Sequence, residues 1–283
     1  MAEKKLKKRK RAYPEFISGI GERRLMSTRQ KKNEKPIFDF KAVFEPNDYL
    51  YFYGDGLTEE RTEKEVQFFI RELGLKKSMK ILDLACGHGR HTNRLTELGY
   101  DVVGVDINDG FLKIARSEAK KKGLKVNYIK KDMRKILWKE KFDRVLLIFT
   151  SFGCFEDDEN FLVLKNIARA LKPGGLFCFD TFNRDVFMKN FLPYIVNQKG
   201  NDLMIERNTF DSLTGRVYDK RVVIRDGKRK DKPFFVRIYN PTEIRDLLLQ
   251  AGLKIYKIFS DFDSKPFASD SRRMIIIAKK GRV

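Results

Sequence analysis

The stretch ILDLACGHGRHT, Ile81 to Thr92, decides the fold. With Lys80 it begins as an apolar strand, Gly87 and Gly89 follow that strand directly, and a helical pattern opens at Arg90 and closes at Gly99. In an open α/β sheet a ligand sits at the carboxyl ends of the strands where the strand order reverses, usually beside the first strand. Glycines there let the backbone approach a ligand closely and aim the amides of the next helix at an anion. The same stretch holds Cys86, His88 and His91, which include both histidines of the chain, so a metal site competes with a small-molecule loop.

Downstream the alternation continues. DVVGVD is a second strand, Asp109 to Lys121 a helix capped at Asn108 and stopped by Gly123, KVNYI a short strand, and FDRVLLIF, Phe142 to Phe149, a long one. Asn160 to Leu171 reads as a helix ended by KPGG, and LFCFDTF as a fifth strand. A parallel pair cannot be joined by a hairpin, so this spacing means parallel strands with crossover helices: a doubly wound α/β fold. Upstream, the aromatic segment DYLYFYGDG, Asp48 to Gly56, ends in a turn, and Thr58 caps a helix that runs to about Leu73 and covers the sheet. From about Arg184 to Asn240 the rhythm breaks into antiparallel strands, with RDGK as a hairpin turn. PTEIRDLLLQAG, KIYKIF and RRMIIIAKK then supply a helix and the sixth and seventh strands. The expected organisation is a basic tail at 1–35, a helical cap at 36–78, a cofactor-binding core at 79–183, an inserted small antiparallel sheet or lid at 184–240, and completion of the core at 241–283.

Composition narrows the function classes. The 283 residues include 24 Phe and are 42% hydrophobic, enough for a sizeable core. No uncharged run approaches the roughly 20 residues of a membrane span, and no apolar segment follows the basic N-terminus as in a signal peptide, so a cytoplasmic protein without membrane contact is expected. The odd set Cys86, Cys154 and Cys178 suggests no disulfide framework, and Cys178, between Phe177 and Phe179, reads as core. Of the net charge of +21, residues 1–35 carry +9, from 13 Lys/Arg against 4 Asp/Glu. KKLKKRKR, Lys4 to Arg11, is a self-repelling block expected to be disordered; it either grips phosphates, RNA among them, or only solvates the chain.

Two details separate the candidate ligands of the glycine loop. The dinucleotide pattern wants a third glycine, but the chain reads Gly87-His-Gly89-Arg-His-Thr92, and Asp83 would repel a pyrophosphate. A nucleoside carrying a cation and only a carboxylate fits better, with Asp83 favouring the positive end and the loop amides the carboxylate. That describes S-adenosylmethionine. Asp106 ends the second strand, where a carboxylate accepts from both ribose hydroxyls, and Asp132 is placed to accept from an adenine amino group with Met133 facing the ring. A structural zinc needs four ligands, commonly in two separated pairs, and no second pair accompanies Cys86, His88 and His91, so no metal is expected.

The chain resembles the class I S-adenosylmethionine-dependent methyltransferases from about Lys80 to Phe182, on ILDLACGHGRHT, VVGVDIN, KKDMRKI, FDRVLLIFTSFG and LKPGGLFCFDTFN in that order. The resemblance implies a seven-stranded, mostly parallel sheet with an antiparallel last strand. It assigns Asp83, Gly87, Gly89, Asp106, Ile107, Asp132 and Met133 to the cofactor, and Phe149 and Thr150 to the methyl-transfer site. It is closest to the small-molecule branch, where Tyr51, Tyr53 or Arg61 would touch the methionine end. Blander readings stay open: Asp106 as a turn cap, Asp132 as a loop acid, Thr150 and Ser151 as backbone-bonding residues, and the aromatic run Tyr49 to Tyr53 as packing. Methyl transfer needs a general base only for some nucleophiles; His91, His88 or a residue of the insertion is available, and the catalytic candidates are His91 and Thr150. FTSFG lacks the Asn/Asp-Pro-Pro-aromatic stretch of the family's amide and base-amino methyltransferases, which argues against those acceptors. The expected function is methyl transfer to a small molecule at O, N or C; the alternatives are an RNA methyltransferase using the basic tail, and a cofactor-binding protein without transferase activity.

Overall fold

Seven strands form the central sheet of the computed structural model, which describes residues 38–281; the basic tail expected at 1–35 lies outside the described residues. The strands are β1 (Lys80–Leu84), β2 (Asp101–Asp106), β3 (Asn127–Lys130), β4 (Phe142–Leu147), β5 (Leu171–Phe182), β12 (Leu253–Phe259) and β13 (Arg273–Lys280), in the order β12-β13-β5-β4-β1-β2-β3. All neighbours run parallel except β13, which is antiparallel to both β5 and β12. The order therefore reverses at β1, between β2 and β4, and the ends of β1 and β4 flank the resulting crevice.

Strand alternation sends two sets of side chains into two cores. Leu82, Leu84, Val145, Leu147, Phe177 and Phe179 pack with the helices α6 (Asp157–Ala170) and α8 (Pro241–Gln250). Ile81, Val102, Leu146, Cys178 and Ile277 pack on the other face with Val66, Phe69 and Leu73 from α3 (Glu59–Glu72) and with Leu95 from α4 (Arg90–Glu97). The helix α5 (Asp109–Lys121) covers β3 through Leu112, Ala115 and Tyr128. Thr58 and Asn108 cap α3 and α5 with their side chains, as their sequence positions suggest.

Before α3 stand α1 (Phe40–Val43) and α2 (Pro46–Tyr53). The aromatic segment at Asp48 is thus helix, followed by a single 3-10 turn at Gly54–Gly56. It escapes a periodicity reading because its rings are used on several sides. Tyr49 packs edge-on against Phe111, while Tyr51 bonds the Lys199 carbonyl. KPGG is also not a simple helix stop. Pairing to β4 starts at Leu171 opposite Phe142 and resumes at Leu176 opposite Arg144, so these residues form a bulge inside β5.

After β5 comes α7 (Arg184–Lys189) and a separate antiparallel sheet: β6 (Tyr194–Lys199), β7 (Asp202–Asp211), β8 (Arg216–Asp219), β9 (Val222–Arg225), β10 (Lys228–Asp231) and β11 (Phe234–Arg237). Asp226 and Gly227 both have positive φ, the conformation of the tight hairpin turn expected at RDGK. Ion pairs tie the sheet to α2 and to the 3-10 turn that follows it. Asp48, buried, accepts from Lys230 at 2.8 Å and Lys232 at 2.7 Å, and Lys199 bonds both Asp55 carboxylate oxygens at 2.8 Å. Among the described residues no helix is long and apolar enough to cross a membrane.

Candidate active site

A cavity of about 590 Å³ opens over the carboxyl ends of β1, β2 and β4 and is roofed by α1, α2 and the inserted sheet. Of the residues singled out in the sequence, Asp83, Gly87, Asp106, Ile107, Asp132, Met133, Phe149, Thr150, His88, His91 and Tyr53 line it. Gly89, Arg61 and Tyr51 do not.

The loop after β1 turns through left-handed backbone, with φ of +55° at Gly87 and +80° at Gly89. A Cβ on Gly87 would meet nothing and stand in the cavity, whereas one on Gly89 would collide with the Tyr128 hydroxyl and lie 2.8 Å from the Ala115 Cβ. One glycine keeps the cavity floor open; the other lets α4 pack on its neighbours. Asp106 ties this loop to the end of β2. One carboxylate oxygen accepts from the Gly87 N–H at 2.8 Å and the other from the Asn108 N–H at 2.7 Å. Each oxygen keeps a lone pair for a ligand, which fits the hydroxyl pair of a ribose. Burial raises the Asp106 carboxyl, and the backbone N–H groups of Asn108 and Gly87 oppose the rise. Asp83, fully buried, accepts from the Thr92 hydroxyl at 2.6 Å, and burial raises its carboxyl too.

Asp132 is less free than its sequence position suggests. Arg134 grips it in a fork, with contacts of 2.6 to 3.1 Å, and is itself held by Glu159 at 2.6 Å. Burial alone would raise the Asp132 carboxyl, but Arg134 holds it below the usual range.

His91, Arg61 and Arg90 converge on an unexpected partner, Glu65 of α3. Its carboxylate lies 2.6 Å from His91 Nε2, 2.9 Å from Arg61 Nε and 2.5 Å from Arg90 Nη1. Burial would raise Glu65, yet His91 and Arg90 hold it well below the carboxylate range. His91 thus has one ring nitrogen committed to a buried anion, and its ring edge rests on Phe69. The Arg61 and Arg90 guanidinium groups lie 5.3 and 5.8 Å from the Phe149 ring centroid, so Arg61 stands behind that ring rather than in the cavity. Burial, with Arg90 and His91 near, lowers His88 to about 4, so it is neutral at physiological pH. Among the described residues no three His, Cys, Asp or Glu side chains are grouped to hold a metal.

Phe149 and Thr150, ending β4, both have positive φ, +71° and +57°, which is unfavourable for bulky and β-branched residues. The buried Asp180 of β5 holds both. Its carboxylate accepts from the Phe149 N–H at 2.6 Å, the Thr150 N–H at 3.2 Å and the Thr150 hydroxyl at 3.3 Å. Thr150 is therefore a backbone-anchored residue, and Ser151 likewise bonds the Ile148 carbonyl. Sequence reasoning passed over Glu65 and Asp180. Glu65 left a signal, an acid one turn from Thr62 and Phe69 on the apolar face of α3; Asp180, inside an apolar strand, also did. It further missed Asn197, Glu206, Asp219 and Arg221, which the inserted sheet contributes to the cavity.

Several known proteins are similar to this chain in sequence or fold. A methyltransferase-domain family model matches residues 81–175. The chain is 25% identical over 219 residues to the putative methyltransferase YqeM of Bacillus subtilis, covering 75% of this chain and 88% of that protein. It is 30% identical over 168 residues to a ubiquinone biosynthesis O-methyltransferase of Bradyrhizobium diazoefficiens, covering 55% and 62%. In fold it is similar to an S-adenosylmethionine-dependent methyltransferase from Clostridium acetobutylicum, with a TM-score of 0.71, 24% identity and coverage of 83% and 98%. The CcbJ methyltransferase from Streptomyces caelestis also has a TM-score of 0.71, with 20% identity and coverage of 82% and 96%. The chain carries a methyltransferase domain at residues 81–175 and shares the fold of class I S-adenosylmethionine-dependent methyltransferases.

Proposed function

We propose that the acceptor is a small molecule, enclosed between the cofactor loop and the inserted sheet. The observation that carries this reading is the cavity itself. Its roughly 590 Å³ lie within the range of small-molecule sites, and its far wall is made of Phe38, Phe44, Tyr49, Phe234 and the inserted strands rather than an open groove. The relatives named for ubiquinone biosynthesis and for glycine and sarcosine methylation act on small molecules by those names, which supports it.

In this proposal Gly87 and Asp106 receive the nucleoside, Asp106 accepting from the ribose hydroxyls and Ile107 flanking the base. Asp83 stabilises the positive end of the cofactor, Asp132 and Met133 border the adenine, and Tyr53 and Phe149 face the reacting end. Gly89 and Arg61 act indirectly, Gly89 through loop packing and Arg61 through the Phe149 ring. S-adenosylmethionine, when bound, supplies an electrophilic methyl group on a sulfonium. The chain's own contribution is alignment and exclusion of water. The aromatic walls exclude water, and Asp180 fixes the Phe149 ring at the place of transfer. His91, bonded to Glu65, orients α3 against α4 in this reading, and no base need be assigned to it. The division into cap, core, insertion and core completion belongs to the same proposal, with 184–240 shaping the acceptor pocket.

Calorimetry with S-adenosylmethionine tests the cofactor half. Two charge-assisted hydrogen bonds lost in Asp106→Ala should weaken binding about 100-fold, and unchanged binding overturns the ribose assignment. Labelled methyl transfer to fractionated small-molecule extracts tests the acceptor half, and transfer confined to RNA fractions overturns it. Deleting residues 1–35 separates the RNA alternative: its activity would fall and lose its salt dependence.

A further inference from the structure

The inserted sheet turns its polar groups into the cavity at one place. Glu206 on β7, Asp219 at the end of β8 and Arg221 before β9 all line the cavity, with Tyr53 of α2 beside them. Arg221 is shared between the two acids: its Nε donates to Asp219 at 3.2 Å and its Nη2 to Glu206 Oε1 at 2.8 Å. The Tyr53 hydroxyl donates to the same Glu206 oxygen at 3.3 Å, and the Arg207 N–H covers the second Asp219 oxygen at 3.1 Å.

Two carboxylates therefore share one guanidinium, and the wall is one positive charge short. The deficit sits in a poorly solvated place, since the Asp219 side chain is 3% exposed and that of Glu206 15%. An uncompensated carboxylate in such surroundings is costly. Burial pushes the Asp219 carboxyl up to about 6 even though Arg221 pulls it down, with the Glu206 charge adding to the rise. Two atoms of this cluster are left over. Among the described residues, Glu206 Oε2 accepts no hydrogen bond, and Nη1 of Arg221, whose side chain is 10% exposed, donates none. The rings at this spot suit a cation: the Arg221 guanidinium already lies 4.4 Å from the Phe234 centroid and 5.9 Å from that of Tyr53.

We propose that the acceptor is an amine on an apolar scaffold, its ammonium group seated against Glu206 and Asp219 and a neighbouring oxygen received by Arg221. This rests on the small-molecule reading above. A neutral acceptor would leave the charge deficit in place, and a carboxylate facing the same two acids would be repelled.

Four probes with one carbon ring isolate the charge: cyclohexylamine, trans-2-aminocyclohexanol, cyclohexanol and cyclohexanecarboxylate. Each is titrated at neutral pH into the full chain saturated with S-adenosylhomocysteine. A desolvated ammonium–carboxylate contact should make cyclohexylamine bind roughly tenfold or more tightly than cyclohexanol, and the added hydroxyl of the aminocyclohexanol should tighten it further. In Glu206→Gln, which keeps an acceptor for Tyr53 and Arg221, the preference should shrink to about twofold. No binding of cyclohexylamine, equal or tighter binding of cyclohexanol or the carboxylate, or a preference unchanged in both Glu206→Gln and Asp219→Asn overturns the proposal. The wild-type ranking alone decides if the variants fold poorly. Failure of S-adenosylhomocysteine to bind counts against the cofactor-site reading instead, so the two failures are distinguishable.

Discussion

Removing the Asp180 carboxylate should unlock the end of β4. Two adjacent residues outside favourable backbone space each store about 1–3 kcal/mol, and such strain persists only where the surroundings over-determine it. Here the surroundings are one buried carboxylate, which takes two backbone N–H groups and a hydroxyl and has Arg273 Nε at 3.5 Å. Hydrogen bonds to a charged acceptor are worth about 1.5–3 kcal/mol each. Losing three of them in Asp180→Ala, against release of strain as Phe149 and Thr150 relax, leaves a net destabilisation of about 3 kcal/mol. For a chain of this size that lowers the melting temperature by roughly 6–12 °C. Asp180→Asn keeps one oxygen for the Phe149 N–H but turns an amide nitrogen toward Thr150 or an oxygen away from it, so about half that loss is expected. Calorimetric melts of the wild type and both variants measure the series. A melting temperature of Asp180→Ala within about 2 °C of wild type refutes the idea that this carboxylate holds the strained pair.

Gly89→Ala should be more damaging than Gly87→Ala, because a Cβ at Gly89 meets the Tyr128 hydroxyl and Ala115 while one at Gly87 meets open space. Urea unfolding should show an excess loss of about 2 kcal/mol at Gly89, and cofactor binding should be the property that suffers at Gly87. Burial would raise the Asp48 carboxyl, but hydrogen bonds and charge from Lys230 and Lys232 bring it down to about 2. A carboxyl depressed on folding stabilises above its unfolded pKa, near 4, and loses that contribution as pH falls through about 2. Asp48→Asn should therefore cost about 2 kcal/mol at pH 7 and almost nothing at pH 2; a difference that does not narrow with acid contradicts the assignment. Asp219 carries the opposite sign. Its carboxyl is raised to about 6, so its contribution to stability is greatest below about 4 and is lost as pH climbs through about 6. Relative to Asp219→Asn, the wild type should lose about 2–3 kcal/mol between pH 4 and pH 8 in denaturant titrations.

The central sheet was legible because each switch of its pattern carries a local mechanical mark. Thr58 and Asn108 cap helices, Gly99 and Gly123 end them with positive φ, and the apolar runs between them are strands buried on both faces. Strands without such marks were not seen. β10, Lys228 to Asp231, is exposed at every position and is a strand only because it pairs with β9. β6 presents Tyr194 and Val196 to solvent, so its alternation runs opposite to what a reader of hydrophobicity expects.

The site divides along the same line. The placement of Gly87 and Asp106 at the cavity was readable because it is set by backbone shape and by bonds between the ends of neighbouring strands. Arg61 and His91 look like pocket residues in the sequence, yet the chain folds them onto Glu65, 26 positions before His91. Arg61 meets that anion within its own helix, four positions away, but nothing near His91 announces it. The cavity wall proposed for the acceptor is more distant still: Tyr53 meets Glu206 across 153 positions, and each of Glu206, Asp219 and Arg221 is an ordinary strand or loop charge until its face is known. In the proposed reading, the half of the site that receives the cofactor is thus fixed by local conformation. The half proposed to select the acceptor is fixed by which charges a separate sheet turns inward, so in this reading single substitutions at Glu206, Asp219 or Arg221 would change specificity without touching the loop proposed to hold the methyl donor.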